Sequence, residues 1–85
     1  MRLNLLRQKI DREDQKILHI LKNRMDLAME IGMLKNKLNL PVENIDREKE
    51  VINKLKKRAK KMGLRSRFIT HLFGTILKES KRIQS

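Results

Sequence analysis

The chain has no cysteine, tryptophan or tyrosine and a single proline in 85 residues. Without a thiol there is no disulfide, no thiolate metal ligand and no cysteine nucleophile. Two phenylalanines are the only aromatics and there are three glycines. That composition argues against a sheet protein and fits a helical bundle or coiled coil. Acids are scarce as well: 10 Asp and Glu stand against 22 Lys and Arg, a formal net charge of +12. Such an excess suits an anionic partner or simply a solvated lysine-rich surface. Long apolar runs are also missing. Met1 to Asp11 is interrupted by Arg2, Arg7 and Lys9, so it lacks a signal-peptide core, and no later segment approaches a membrane span. A cytoplasmic protein without membrane association is the expectation.

What is present is helical periodicity, arranged as one all-α domain over residues 1–85. Helix 1 is predicted from about Leu3 to Asn39, weakened only by Gly32. A lone glycine costs roughly 1 kcal/mol without breaking a helix. Pro41 disfavours helix at Leu40 and ends the segment. Helix 2 is predicted from about Asn44 to Met62, with Asn44 as N-cap, Asp46 and Glu48 in the positive first turn, and Gly63 just past the end. Helix 3 is predicted from about Arg65 to Ile83, and Gln84 follows in a last turn that is prone to fray.

One face of helix 1 reads Leu3, Arg7, Ile10, Asp14, Ile17, Leu21, Arg24, Ala28, Ile31, Lys35, Leu38. The alternating three-and-four spacing is that of a buried seam. A charge on such a seam costs several kcal/mol unless it is paired. Asp14 is read as a structural partner for a cation across the bundle. Three cations, Arg7, Arg24 and Lys35, suggest an anion that is not part of the protein.

Length adds a second constraint. A helix of about 37 residues spans roughly 55 Å, whereas a compact chain of this size has a radius of gyration of about 12 Å. Helix 1 must overhang its own fold, and a second copy is the expected cover. Arg7 and Lys35 lie about 42 Å apart on one helix, too far to share a small ligand. If two copies cross antiparallel near residue 21, Arg7 of the partner subunit comes opposite Lys35. Two equivalent sites result, each built from both chains.

The other helices carry similar intruders. Glu48 interrupts the helix 2 stripe of Ile45, Ile52, Leu55, Ala59 and Met62, with Arg47 beside it. Ser80 interrupts the helix 3 stripe of Ile69, Phe73, Ile76 and Ile83, and Gln84 lies one turn beyond it. Cations, one acid, one hydroxyl and one amide suit a small dianion that also bears a hydroxyl.

The segments Leu6-Arg7-Gln8-Lys9-Ile10-Asp11, Asn23-Arg24-Met25-Asp26-Leu27-Ala28, Ile31-Gly32-Met33-Leu34-Lys35, Pro41-Val42, Ile45-Asp46-Arg47-Glu48-Lys49-Glu50, and Ile69 to Phe73 through Glu79-Ser80 and Gln84 resemble the all-helical class of chorismate mutases in order and spacing. The resemblance covers nearly the whole chain. It implies an intertwined homodimer forming a six-helix bundle, and conversion of chorismate to prephenate in aromatic amino acid biosynthesis without metal, cofactor or covalent intermediate. By similarity, Arg7 of the partner subunit and Arg24 hold the substrate carboxylates, assisted by Arg47 and Ser80. Lys35 and Gln84 donate to the ether oxygen, and Glu48 accepts from the ring hydroxyl. Asn44 stands where many relatives carry an acid; a backbone contact to substrate there would survive this departure, whereas a side-chain contact would change.

Three rival readings remain at this level. Lys54, Lys56, Lys57, Arg58, Lys60, Lys61, Arg65 and Arg67 form a basic stretch that a phosphate backbone would suit, but no aromatics interleave it and no reading motif accompanies it. A lyase releasing pyruvate from isochorismate would need almost the same pocket. A purely structural helical dimer leaves the seam cations unexplained. His19 and His71 have no second ligand at metal spacing, and the methionines read as core filler.

Overall fold

A computed structural model describes residues 1–85. It contains three helices and no strand: α1 (Arg2–Lys37), α2 (Ile45–Lys61) and α3 (Ser66–Gln84). The expected boundaries lie within two residues of these. The largest difference is at the end of α1, where Asn39 adopts a left-handed φ of 56° instead of continuing the helix. The amide of Leu40 then donates to the Lys35 carbonyl at 2.8 Å and that of Asn39 to the Asn36 carbonyl at 3.3 Å. These two bonds satisfy carbonyls that the helix end leaves open. Gly63, with φ 80°, ends α2 in the same way, and there the Leu64 amide donates to the Ala59 carbonyl at 2.9 Å. At the start of α2, Asn44 acts as the N-cap, its Oδ1 accepting from the Arg47 amide at 3.1 Å.

α3 packs on both other helices, whereas α1 and α2 do not approach one another through their backbones. Glu48 near the start of α2 faces Lys81 near the end of α3, so these two helices run antiparallel. The C-terminal half of α3 lies along the segment of α1 from Arg24 to Lys35. Small residues make that close approach possible. Ala28 and Gly32, one turn apart on α1, are buried, as is Ser80 opposite them on α3.

The molecule measures 57 × 24 × 15 Å with a radius of gyration of 16.0 Å. Its long axis matches the roughly 54 Å expected of a 36-residue helix. Every residue from 1 to 20 is exposed in the single chain. Leu3, Leu6, Ile10 and Ile17 thus have no cover from their own α2 and α3. Only Ala28, Gly32, Ala59, Ile69 and Ser80 are buried, and no large side chain is fully enclosed. One chain therefore builds a scaffold and a cleft but hardly a core. No helix is long and apolar enough to cross a membrane.

Candidate active site

The seam that sequence periodicity assigned to α1 becomes, between Arg24 and Lys35, one wall of a cleft closed by α2 and α3. The cleft encloses about 370 Å³ and is lined by Arg24, Lys35, Asn44, Arg47, Glu48, Ser80 and Gln84. Seven of the eight residues proposed from the sequence thus converge. Leu27, Ile31, Val51 and Leu77 supply apolar wall between them. Arg7 is not among them. It lies seventeen residues before Arg24 on the exposed end of α1, about 26 Å away along the helix.

Each polar group has a definite anchor. The Arg24 guanidinium donates to Ser80 Oγ. The Ser80 hydroxyl in turn donates to the Ile76 carbonyl at 2.9 Å. Lys35 Nζ donates to the Val42 carbonyl at 2.7 Å and to Gln84 Oε1 at 2.9 Å. The ammonium has three protons, so a third remains for a ligand. Because the Gln84 oxygen is occupied by Lys35, its NH2 group is also left as a donor. An ammonium and an amide donor of the cleft are therefore held side by side, joined by their own hydrogen bond.

The charges are unevenly compensated. Arg47 pairs with Glu50 on its own helix at 2.8 Å. Glu48 pairs with Lys81 at 3.1 Å, and Lys81 also reaches Glu43 at 3.6 Å. Arg24 and Lys35, by contrast, are held only by a hydroxyl, a carbonyl and an amide oxygen. Burial, and secondarily the like charge of Arg47, push the Arg24 guanidinium below its ordinary pKa. An anion placed between the two arginines would relieve both effects. The hydrogen bond from Lys81 to Glu48 raises the lysine above its usual value. Among lining side chains, four cations, Arg24, Lys35, Arg47 and Lys81, face one carboxylate, Glu48.

Two members of the site were not singled out from the sequence. Lys81 follows Ser80 directly and stands three residues before Gln84, so its helical face was legible. Its pairing with Glu48, on another helix, was not. Gly32 read only as a weak point in α1. A Cβ built there would stand 2.8 Å from Gln84 Cα, a contact that no local pattern reveals. Asn44 lines the cleft, but its side-chain oxygen is committed to capping α2, which leaves its amide NH2 for other contacts. Asp14, His19 and His71 are exposed and outside the cleft, and no group of three or more His, Asp or Glu is placed to hold a metal. Of the basic stretch, Lys54 pairs with Glu50 at 3.3 Å and Lys56 is half-buried. The other six cations are exposed.

Residues 6–85 match the chorismate mutase type II family. The chain is 39% identical over 75 residues to the bifunctional chorismate mutase/prephenate dehydratase of Escherichia coli, which covers 88% of this chain and 19% of that protein. It is 29% identical over 79 residues to a chorismate mutase of Methanocaldococcus jannaschii, covering 93% of this chain and 80% of that one. Among solved structures, a conserved hypothetical protein from Pyrococcus furiosus superimposes with a TM-score of 0.80 at 38% identity, covering 100% of this chain and 97% of its counterpart. The chain spans about a fifth of the length of the bifunctional relatives it matches. It belongs to the type II chorismate mutase family.

Proposed function

We propose that this chain catalyses the rearrangement of chorismate to prephenate, as a cytoplasmic enzyme of aromatic amino acid biosynthesis, and that it does so as a homodimer with shared sites. Arg24 and Lys35 carry the assignment: both are cations in one cleft without a carboxylate partner. Chorismate offers two carboxylates, an ether oxygen and a ring hydroxyl, a set that this cleft complements group by group.

The reaction is an isomerisation. The ether C–O bond breaks, a C–C bond forms between the side-chain terminus and the ring, and no atom is gained or lost. Breaking runs ahead of forming, so negative charge grows on the ether oxygen in the transition state. Donors fixed in advance toward that charge need no reorganisation when it appears. Lys35 and Gln84 fill this role, steadied by their mutual hydrogen bond. Arg24, supported by Ser80 and Arg47, grips a carboxylate, and Arg7 of the partner subunit takes the other. Two such grips hold the flexible side chain folded over the ring, which is catalysis by proximity. Glu48, kept in place by Lys81, accepts from the ring hydroxyl. Asn44 contributes through its backbone and free amide. No proton moves, so the rate is flat with pH near neutrality.

The uncovered half of α1 supports the homodimer reading. Burial of apolar surface contributes about 25 cal/mol per Å², and residues 1–20 present such surface to solvent in a single chain. Two copies of α1 crossing antiparallel would cover it and carry Arg7 to the second cleft, giving a six-helix bundle.

Incubation of the purified chain with chorismate, following its loss and prephenate formation by chromatography, tests the reading. Conversion well above the uncatalysed rate is expected. No acceleration at any concentration that supports dimerisation would refute it. Pyruvate release from isochorismate, measured alongside, would reassign the pocket to a lyase.

A further inference from the structure

Gly32 is buried on the face of α1 that meets the last turn of α3. A Cβ at this position would lie 2.8 Å from Gln84 Cα and 3.1 Å from both Gln84 Cβ and Cγ. Real Cβ atoms essentially never come within 3.0 Å of such a neighbour, and 3.1 Å is already a tight contact. The closest atom is backbone, so no rotamer change of Gln84 relieves the contact. The end of α3 would have to lift or unwind. Lys35 lies three residues further along the same helix face, and its Nζ meets Gln84 Oε1 at 2.9 Å. The glycine and the lysine thus hold the two ends of one residue: Gly32 receives its backbone and Lys35 its amide oxygen. Gln84 occupies the final turn of α3, the part of a helix with the fewest bonds of its own. Its register over the cleft therefore depends on what it rests against.

We propose that Gly32 is a positioning residue for catalysis: its missing side chain lets the last turn of α3 seat on α1, which fixes the distance of the Gln84 amide from the reacting oxygen. Its catalytic consequence rests on the mutase reading above; its structural consequence does not. This gives the glycine a reason that outweighs its helix cost. Alanine is the better helix former, so a position whose only task was to extend α1 would gain from the exchange.

The test is Gly32→Ala in the full chain, alone and combined with Gln84→Ala. A misplacement of about 1 Å in a catalytic group can cost about 100-fold in rate. Gly32→Ala is therefore expected to lower kcat by about that factor with KM changed only a few-fold, while the circular dichroism spectrum stays helical. On the Gln84→Ala background the same substitution is expected to have little further effect on kcat, because the group it displaces is already gone. A purely structural glycine would give equal losses on both backgrounds. The Gln84 side-chain amide resonance, assigned by its loss in Gln84→Ala, is expected to shift in Gly32→Ala. That readout stands even if the wild-type chain does not convert chorismate, a result that would sink the mutase reading alone. Unchanged kcat, an unshifted amide resonance, or additive losses would each overturn the proposal. So would failure to fold, since a clash confined to the last turn can be released by unwinding that turn only.

Discussion

Lys35 Nζ and Gln84 Oε1 lie 2.9 Å apart although 49 residues separate them in sequence. The contact joins the far end of α1 to the last turn of α3 and orients the amide: with its oxygen engaged by the ammonium, Gln84 can only donate toward the cleft. An ammonium and an amide NH2 held side by side suit a site where negative charge develops.

Gln84→Glu inverts that chemistry. An ionised carboxylate would pair with Lys35 and repel the charge growing on the ether oxygen; a protonated one would donate as the amide does. Free glutamate titrates near pH 4.3, and the neighbouring ammonium favours the ionised form still further. The variant is therefore expected to lose about 10²–10³-fold in kcat/KM near neutrality and to regain activity only on acidification. A pH–rate profile measures this, and a flat profile at wild-type level would remove Gln84 from the donor role.

Arg7 and Arg24 are expected to serve one site from different chains. Arg7→Ala and Arg24→Ala homodimers should each be inactive. In a mixed dimer one site loses both arginines and the other keeps both. Random exchange of subunits should then restore about a quarter of wild-type activity. Absence of any recovery after mixing, with exchange verified by mass spectrometry, would mean that Arg7 does not act across a dimer.

Ile17 lies on the overhang of α1 and is 54% exposed in the single chain. Ile17→Glu removes nothing from the contacts of α3 with α1 or α2. It is expected to leave the helices formed but to shift the chain from dimer to monomer by light scattering, and to abolish activity at concentrations where wild type is fully active. Each site would then lack Arg7. Dilution of wild type should reproduce the loss by mass action.

The ion pair of Lys81 with Glu48 and Glu43 sets a pH dependence of stability. Its hydrogen bond to Glu48 raises the Lys81 pKa above its usual value in the folded chain. A raised lysine contributes stability that is fully present below its unfolded pKa and disappears as pH rises through the folded one. Lys81→Met is thus expected to lower Tm slightly at neutral pH, with the difference from wild type shrinking as pH rises through the raised pKa of the folded lysine. The lysine is solvent-accessible, so the effect is small and falls with added salt. A difference that persisted undiminished at high pH would show that packing of the lysine stem, not charge, is responsible.

Much of this was legible from the sequence because helices are written locally. The three-and-four spacing gives each helix and its face. Pro41, Asn44 and Gly63 mark where helices stop and start through backbone preferences that act over a few residues. Charges on an apolar stripe identify Arg24, Lys35 and Glu48 as exceptional, since burial penalises them wherever the stripe is covered. The overhang of α1 also follows from length alone. Tertiary structure decided what local rules cannot: which intruders meet. Residues 24, 35, 48, 80 and 84 become one cleft only because α3 folds back along α1 while α2 closes the side. The same packing turns Gly32 from a weak helix position into the seat of Gln84 and recruits Lys81 to Glu48. Helix propensity and periodicity are properties of neighbours in sequence; hydrogen bonds and close contacts across 49 residues depend on helix crossings, and these are set by side-chain volumes summed over whole interfaces.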